Sequence, residues 1–321
     1  MKKKIITILL LSLLLITGLI GCTKVEKKLL AMNEYTELDT LILSDIRFDG
    51  TVADDIRMRM IEDMIKTRNP DFIAITGNLV NCKNNGEVMK KVALFFDNFA
   101  IPWATSIGEL DVRGNTSKKQ IVNILTNNNL KYSMVMRGES YEYNYIISVV
   151  NKNNGIEHLF YFIDTSVDCS DTFVEWYKNT ITSISFKNVD KKGDTLRSQV
   201  FMNRPLPLYK NYSIVINNNN VEPSPWANSQ IFEDAIFKMK STKAVIAGYD
   251  NLANGYSGER IQEVLFTYTV TMLFDSSMTG DNYMLQKGRI GGSYHSFRDA
   301  SYVDSLNRIM RDPENFKKAT A

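Results

Sequence analysis

Histidine is scarce in this chain, and cysteine is nearly as rare. Its 321 residues include two histidines, His158 and His295, and three cysteines, Cys22, Cys82 and Cys169. Two histidines cannot supply the several imidazoles on which a histidine-rich metal site depends. Cys82 and Cys169 could form a disulfide in an exported protein, although two unpaired thiols fit the sequence equally well.

The chain also lacks a large surplus of either charge. Its net charge is +2, and subtracting Lys2, Lys3 and Lys4, which lie in a segment expected to be removed, leaves about −1. Nucleic-acid binding would need a clustered basic face, and none is evident, so no nucleic-acid partner is predicted. The length and a hydrophobic content of 44% are sufficient for one large α/β domain.

The N-terminus predicts a lipoprotein signal peptide over residues 1–21. A basic MKKK start precedes an apolar stretch that ends in Leu19-Ile20-Gly21-Cys22 and resembles the bacterial lipobox. Cys22 is then the lipid-attachment residue, residues 22–37 form a tether, and residues 38–321 form one domain. This places the protein on the extracytoplasmic face of a bacterial cell membrane, with the membrane as a partner through the anchor. A plain uncleaved anchor, or cleavage elsewhere, is the alternative.

Strands and helices alternate in the first part of the domain, which favours a sheet layered with helices. Later segments are richer in strands. The predicted strands are residues 39–44, 72–76, 103–107, 132–137, 143–150, 158–164, 199–202, 243–247 and 264–269. The predicted helices are residues 54–67, 87–99, 117–125, 172–184 and 229–239.

Five short blocks each place polar residues directly after an apolar strand. Side chains in such positions meet at the carboxyl ends of neighbouring strands, where open α/β sheets usually carry their sites. A two-metal hydrolase needs carboxylates and imidazoles converging at this edge. The blocks are LILSDIRFDG (41–50), FIAITGNLV (72–80), WATSIGELD (103–111), VFMNRPLP (200–207) and AVIAGYDNLANGYSG (244–258).

In order and spacing the blocks resemble the calcineurin-like metallophosphoesterase family, in particular its purple-acid-phosphatase-like branch. The pattern of that family is Asp-x-His, Gly-Asp, Gly-Asn-His-Asp, a lone His and Gly-His-x-His. The resemblance covers roughly residues 38–300. It implies a four-layer α/β/β/α sandwich with two mixed sheets, and a phosphoric-ester hydrolase that uses two divalent or trivalent ions of Fe, Zn or Mn. Framework segments that share it include Asn69-Pro70-Asp71-Phe72, Ile101-Pro102-Trp103, Tyr161-Phe162-Ile163-Asp164 and Glu175-Trp176-Tyr177.

Almost every position that the resemblance assigns to a metal ligand carries a different residue. Asp45 keeps the first carboxylate and Asp111 remains in the third block. The degenerate positions are Asp45 itself and the replacements Arg47, Asn78, Glu109, Asn203, Tyr249 and Asn251. Neither histidine lies in a ligand block, so we expect no bound metal, no other cofactor and no catalytic residue.

Arg47 is the most informative of these replacements. Its guanidinium stays charged and cannot ligate a cation, so we expect it to pair with Asp45, Glu109 or Asp111. The remaining polar side chains would complete a hydrogen-bonded cluster. Two alternatives are a repaired core without a ligand and an anion pocket. The pocket would consist of Arg47, Asn78, Asn203, Arg204, Tyr249 and His295.

The sequence therefore predicts a catalytically inactive, phosphoesterase-like surface lipoprotein that binds an unknown protein or a small anionic ligand. The first alternative is a phosphoesterase with residual activity. It would depend on one Mg or Ca ion held by the carboxylates of Asp45, Glu109, Asp111 and Asp250. A second alternative is metal-free nucleophilic catalysis by Ser293 or Ser296 with His295 and Asp299, although the segment lacks a nucleophile-elbow pattern.

Overall fold

A computed structural model describes residues 28–32, 37–138, 143–151, 153, 155–187, 196–210, 224–248, 257–262, 264–268 and 293–298. The predicted signal peptide with Cys22, and the positions Tyr249 and Asn251, lie outside the described residues. The predicted domain limits therefore stay a prediction.

The described residues form eleven strands, five α-helices and two short 3₁₀ turns. The strands are β1 Lys28–Ala31, β2 Glu37–Leu43, β3 Phe72–Ile75, β4 Trp103–Thr105, β5 Tyr145–Val150, β6 Ile156–Ile163, β7 Arg197–Met202, β8 Thr242–Ala247, β9 Ser257–Ile261, β10 Val264–Tyr268 and β11 Ser293–Arg298. The helices are α1 Ala53–Arg68, α2 Asn85–Asp97, α3 Lys118–Leu125, α4 Asp171–Lys187 and α5 Gln230–Met239. The 3₁₀ turns are Leu110–Val112 and Pro207–Lys210.

The strands form two mixed sheets. One has seven strands in the order β1-β5-β6-β7-β8-β10-β9, and the other has four in the order β11-β2-β3-β4. In the larger sheet β6, β7, β8 and β10 are mutually parallel, while β5 and β9 run antiparallel to their neighbours β6 and β10. In the smaller sheet β2, β3 and β4 are parallel, and β11 is antiparallel to β2.

The alternation of side chains along β6 explains the layering. Phe160 and Phe162 point toward the smaller sheet, where their ring centroids lie 5.9 and 6.3 Å from that of Phe72. Tyr161 points the other way and lies 5.2 Å from Tyr177 of α4. Both faces of this strand are covered, so its residues 159–163 form an uninterrupted apolar run.

Helices cover the outer face of each sheet. On the smaller sheet, Phe96 of α2 packs against Trp103 of β4, with ring centroids 5.7 Å apart. On the larger sheet, Phe173 of α4 contacts Phe232 of α5 at 4.8 Å. The predicted four-layer α/β/β/α sandwich with two mixed sheets is therefore confirmed.

Four segments differ from their predicted structure, and two of these, β9 and β11, form strands that were not predicted. Residues 132–137 do not form the predicted strand, and only an isolated bridge joins Ser133 to Trp103. The Lys28 ammonium donates to the carbonyls of Ser133 and Val135 at 2.7 and 3.2 Å, so a side chain occupies acceptors that a strand would have used. Lys28–Ala31, which the sequence placed in a tether, pairs in parallel with β5 as an edge strand.

The described part of the chain contains no helix that is both long and apolar enough to cross a membrane. Cys82 is partly exposed and Cys169 is buried, and no disulfide joins them. The hypothesis that they pair is therefore not supported.

Candidate functional site

The five blocks meet at the carboxyl ends of the central strands. The N–H of Asp45 donates to the carbonyl of Gly77 at 3.2 Å, and the N–H of Gly248 donates to that of Met202 at 2.9 Å. Gly77 has a φ of +94°, and a Cβ there would lie 2.9 Å from the backbone nitrogen of Gly108. Gly77 thus allows the second and third blocks to touch, as the sequence predicted.

Asp45 and Asn78 form the centre of the site, and both are completely buried. The Asn78 side-chain nitrogen donates to Asp45 Oδ1 at 2.7 Å, and the Ser44 hydroxyl donates to Asp45 Oδ2. The N–H of Leu110 donates to Asn78 Oδ1 at 2.9 Å. Because that N–H needs an acceptor, the amide oxygen must face Leu110 and the amide nitrogen must face Asp45.

Arg47 pairs with Asp45, one of the three partners that the sequence allowed. Its Nη2 lies 3.3 Å from Asp45 Oδ1, and its side chain is 15% exposed. The guanidinium therefore reaches the same carboxylate oxygen that accepts the amide of Asn78. A charged, part-buried guanidinium at this position balances the buried carboxylate.

Three non-glycine residues of the site have left-handed backbones: Asp45 at φ +50°, Arg47 at +57° and Asn78 at +52°. Asparagine and aspartate tolerate this region, whereas arginine rarely adopts it. The turn that contains Asp45 and Arg47 is joined to the turn that contains Asn78, since the N–H of Arg47 donates to the carbonyl of Asn78 at 3.0 Å. Such strain persists only where surrounding contacts hold it, and it is concentrated at functional sites.

Asp111 organises the backbone around these turns. Its carboxylate accepts the N–H groups of Asn78 at 2.9 Å, Val80 at 3.0 Å and Gly108 at 2.9 Å. Burial raises the pKa of Asp111 to about 7, although these backbone N–H groups act in the opposite direction. Asp111 is therefore a structural acid and not the partner of Arg47.

The raised pKa of Asp111 predicts a pH-dependent stability. A carboxyl group whose pKa is higher in the folded state contributes stability below its unfolded pKa of 3.8, and loses it as pH rises toward about 7. We expect the free energy of unfolding to fall as pH rises through that window, by roughly 1 kcal/mol per pH unit. Urea unfolding across the window measures this slope. Asp111→Asn should flatten it, and an equal slope in that variant would contradict the assignment.

Glu109 belongs to a second ion-pair cluster and not to Arg47. One carboxylate oxygen accepts the guanidinium of Arg113 and the other accepts that of Arg204. Partial burial alone would raise the pKa of Glu109, but the two guanidinium groups outweigh it and lower the pKa. Arg113 was missed from the sequence, because nothing in the third block marks a residue four positions beyond Glu109 as its partner.

Asn203 lies against the second block. It is completely buried, and a Cβ on Gly77 would be 3.1 Å from the Cβ of Asn203. Within the described residues, neither its amide nitrogen nor its amide oxygen has a hydrogen-bond partner. Asn203 is thus brought to the site, but the predicted hydrogen bonding to the rest of the cluster is not seen.

Gly248 shows that the fifth block also reaches the site. A Cβ at this position would lie 2.1 Å from the Ser44 hydroxyl and 2.5 Å from that of Thr76. Only glycine allows the chain to pass so close to Asp45. The next positions, Tyr249 and Asn251, lie outside the described residues.

His295 is not brought to this cluster. Its backbone pairs with Thr40 in β2, four residues before Ser44. At about 3.3 Å per residue, that is about 13 Å from the carboxyl end of the sheet. His158 lies in β6 and is buried. Of the six residues of the predicted pocket, Arg47, Asn78, Asn203 and Arg204 lie at the strand ends, whereas His295 is paired elsewhere in the sheet.

The described residues of the site do not fit a two-metal centre. Asp45 Oδ1 accepts from an amide nitrogen and a guanidinium, and neither of those donors can ligate a cation. The Asn78 oxygen is taken by a backbone N–H. In the ranges that the structure describes, no group of three or more His, Cys, Asp or Glu is placed to hold a metal ion.

No protein-family model matches the sequence, and no curated protein does. Solved structures do match. A dimetal phosphatase from Danio rerio is 10% identical, with a TM-score of 0.52 over 73% of this chain and 87% of that chain. GAP50, the anchor in the inner membrane complex of Plasmodium, is 15% identical, with a TM-score of 0.49 over 82% of each chain. TT1561 of Thermus thermophilus is 10% identical, with a TM-score of 0.47 over 74% of this chain and 90% of that chain. The similarity to the dimetal phosphatase, at this low identity, concerns the fold alone: the chain has the fold of the calcineurin-like phosphoesterases.

Proposed function

We propose that this protein is a non-catalytic binding module with a phosphoesterase fold, held by a lipid on Cys22 at the extracytoplasmic face of a bacterial cell membrane. The leader sequence supports the anchor and the location. The ion pairs at the strand ends support the loss of catalysis.

One observation carries the proposal: the Asp45 carboxylate, which a metal centre would need, is occupied by N–H donors. Asn78 and Arg47 both donate to Asp45 Oδ1, at 2.7 and 3.3 Å. A divalent cation at that oxygen would face the positive guanidinium and the positive end of the amide dipole. Arg47 supplies the positive charge that a metal ion would supply. The buried Asp45 carboxylate is therefore balanced without a catalytic metal.

We therefore propose that this site binds a partner and does not catalyse a reaction. The partner is an unidentified protein or a small anionic ligand, for which Arg47, Arg204 and the amide of Asn203 supply the donors. The carboxylates of Asp45 and Glu109 neutralise much of this positive charge, so a ligand would have to compete with them.

Metal analysis and a phosphatase assay on the full chain in detergent test the proposal. We expect less than one equivalent of Fe, Zn or Mn after incubation with each metal, and no hydrolysis of phosphate monoesters or diesters above a buffer control. Turnover that disappears in Asp45→Ala but survives in Asp168→Ala, a change to an exposed carboxylate, would favour the enzyme alternative. Tight, stoichiometric metal would overturn the proposal directly.

A further inference from the structure

The direction of the edge strand β1 fixes where the chain enters the domain. β1 is parallel to β5, and β5 is antiparallel to β6, whose carboxyl end lies at the site. The chain therefore enters β1 from the same end of the sheet as the site. Lys28 is held in place at this entry, because its ammonium donates to two backbone carbonyls.

The distance between this entry and the predicted lipid is short. Lys28 pairs with Ile147, which pairs with Phe160, three residues before the end of β6. Lys28 thus lies about 10 Å below the carboxyl end of that strand. Cys22 precedes Lys28 by six residues, which span at most about 20 Å when fully extended. A lipid on Cys22 can therefore reach about 10 Å beyond the strand ends, but no further.

The composition of the connecting segment favours contact with anionic lipid. Residues 23–27 are TKVEK, with two lysines and one glutamate, while the ammonium of the next lysine, Lys28, is engaged by the domain. Lysines next to a lipid anchor are attracted to an anionic bilayer surface. Both the lipid and these charges act at the end of the domain where the chain enters β1.

From this geometry we propose that the domain lies close to the bilayer with its site end, the carboxyl ends of β2, β3, β4, β6, β7 and β8, facing the lipid headgroups. The inference rests on the lipid anchor of the proposed function. It adds that Arg47 and Arg204, and with them the ligand of the proposed function, lie at the end of the domain that faces the lipid surface.

Two labelled variants of the lipidated full chain test the orientation. Asn115 is exposed in the loop before α3, at the site end, where its N–H donates to the carbonyl of Lys83. Asn153 is exposed in the turn between β5 and β6, at the opposite end. Each is changed to cysteine in a Cys82→Ser/Cys169→Ala background, labelled with a fluorophore and bound to phosphatidylcholine–phosphatidylglycerol vesicles that carry a nitroxide headgroup lipid.

The ends of the eight-residue strand β6 lie about 25 Å apart, so we expect quenching at Asn115→Cys to be at least about twice that at Asn153→Cys. Lengthening the segment between Cys22 and Lys28 with a long Gly-Ser insert should remove the difference. Equal quenching before the insertion, or stronger quenching at position 153, overturns the orientation while leaving the anchor intact. If the chain does not bind vesicles, or binds equally well as Cys22→Ser, the anchor itself fails, and the orientation fails with it.

Discussion

Replacing Asp111 with alanine is expected to lower the free energy of unfolding by at least about 3 kcal/mol near neutral pH. The carboxylate accepts the buried N–H groups of Asn78, Val80 and Gly108, and alanine leaves all three without this acceptor. Each unsatisfied buried donor costs about 1–3 kcal/mol, although neighbouring losses are not additive. Equilibrium unfolding in urea measures the change.

Two other variants separate the lost acceptor from the lost charge. Asp111→Asn keeps one accepting oxygen but turns its NH₂ group toward a donor. Its free energy of unfolding should therefore decrease by less than that of the alanine variant. Asp168→Ala removes an exposed carboxylate and should change stability by no more than about 0.5 kcal/mol. A loss below about 1 kcal/mol in Asp111→Ala would mean that other groups satisfy these donors.

The layered fold could be predicted from the sequence because its signals are local and repeated. All five described helices were predicted, the first of them from helical spacing, and apolar runs such as residues 159–163 marked the central strands. β1 escaped prediction because Lys28–Ala31 is a short strand beside a charged leader, and only its partner β5 makes it a strand. Residues 132–137 were assigned wrongly because the contact of Lys28 with their carbonyls is long-range in sequence.

Which residues come together at the site could be predicted from the sequence, but which of them form ion pairs could not. The block positions brought together Asp45, Arg47, Asn78 and Glu109, since carboxyl ends of parallel strands must meet. Which cation pairs with which acid depends on side-chain directions that a motif does not encode, and around Asp45 three left-handed residues contribute to these directions. Glu109 therefore pairs with Arg204 and Arg113, and the acid that remained in the third block, Asp111, holds the backbone.

Arg47→Met is expected to destabilise the protein by about 3 kcal/mol, because it leaves the completely buried Asp45 carboxylate without this guanidinium. Methionine keeps much of the aliphatic length, so the change tests charge more than packing. Chemical denaturation of the full chain in detergent measures the loss. A matched control is Arg113→Met, whose pair with Glu109 is more exposed and should contribute under about 1 kcal/mol.

A double-mutant cycle then isolates the pair itself. Asp45→Asn removes the charge that Arg47 balances, while its side-chain oxygen can still accept the amide of Asn78. We expect the double variant to be more stable than the sum of the single losses implies, by about 1 kcal/mol or more. Additive losses would show that Arg47 and Asp45 act independently. Since the occupied carboxylate is the observation on which the loss of catalysis rests, additivity would also remove the main reason for regarding Arg47 as the replacement of a metal charge.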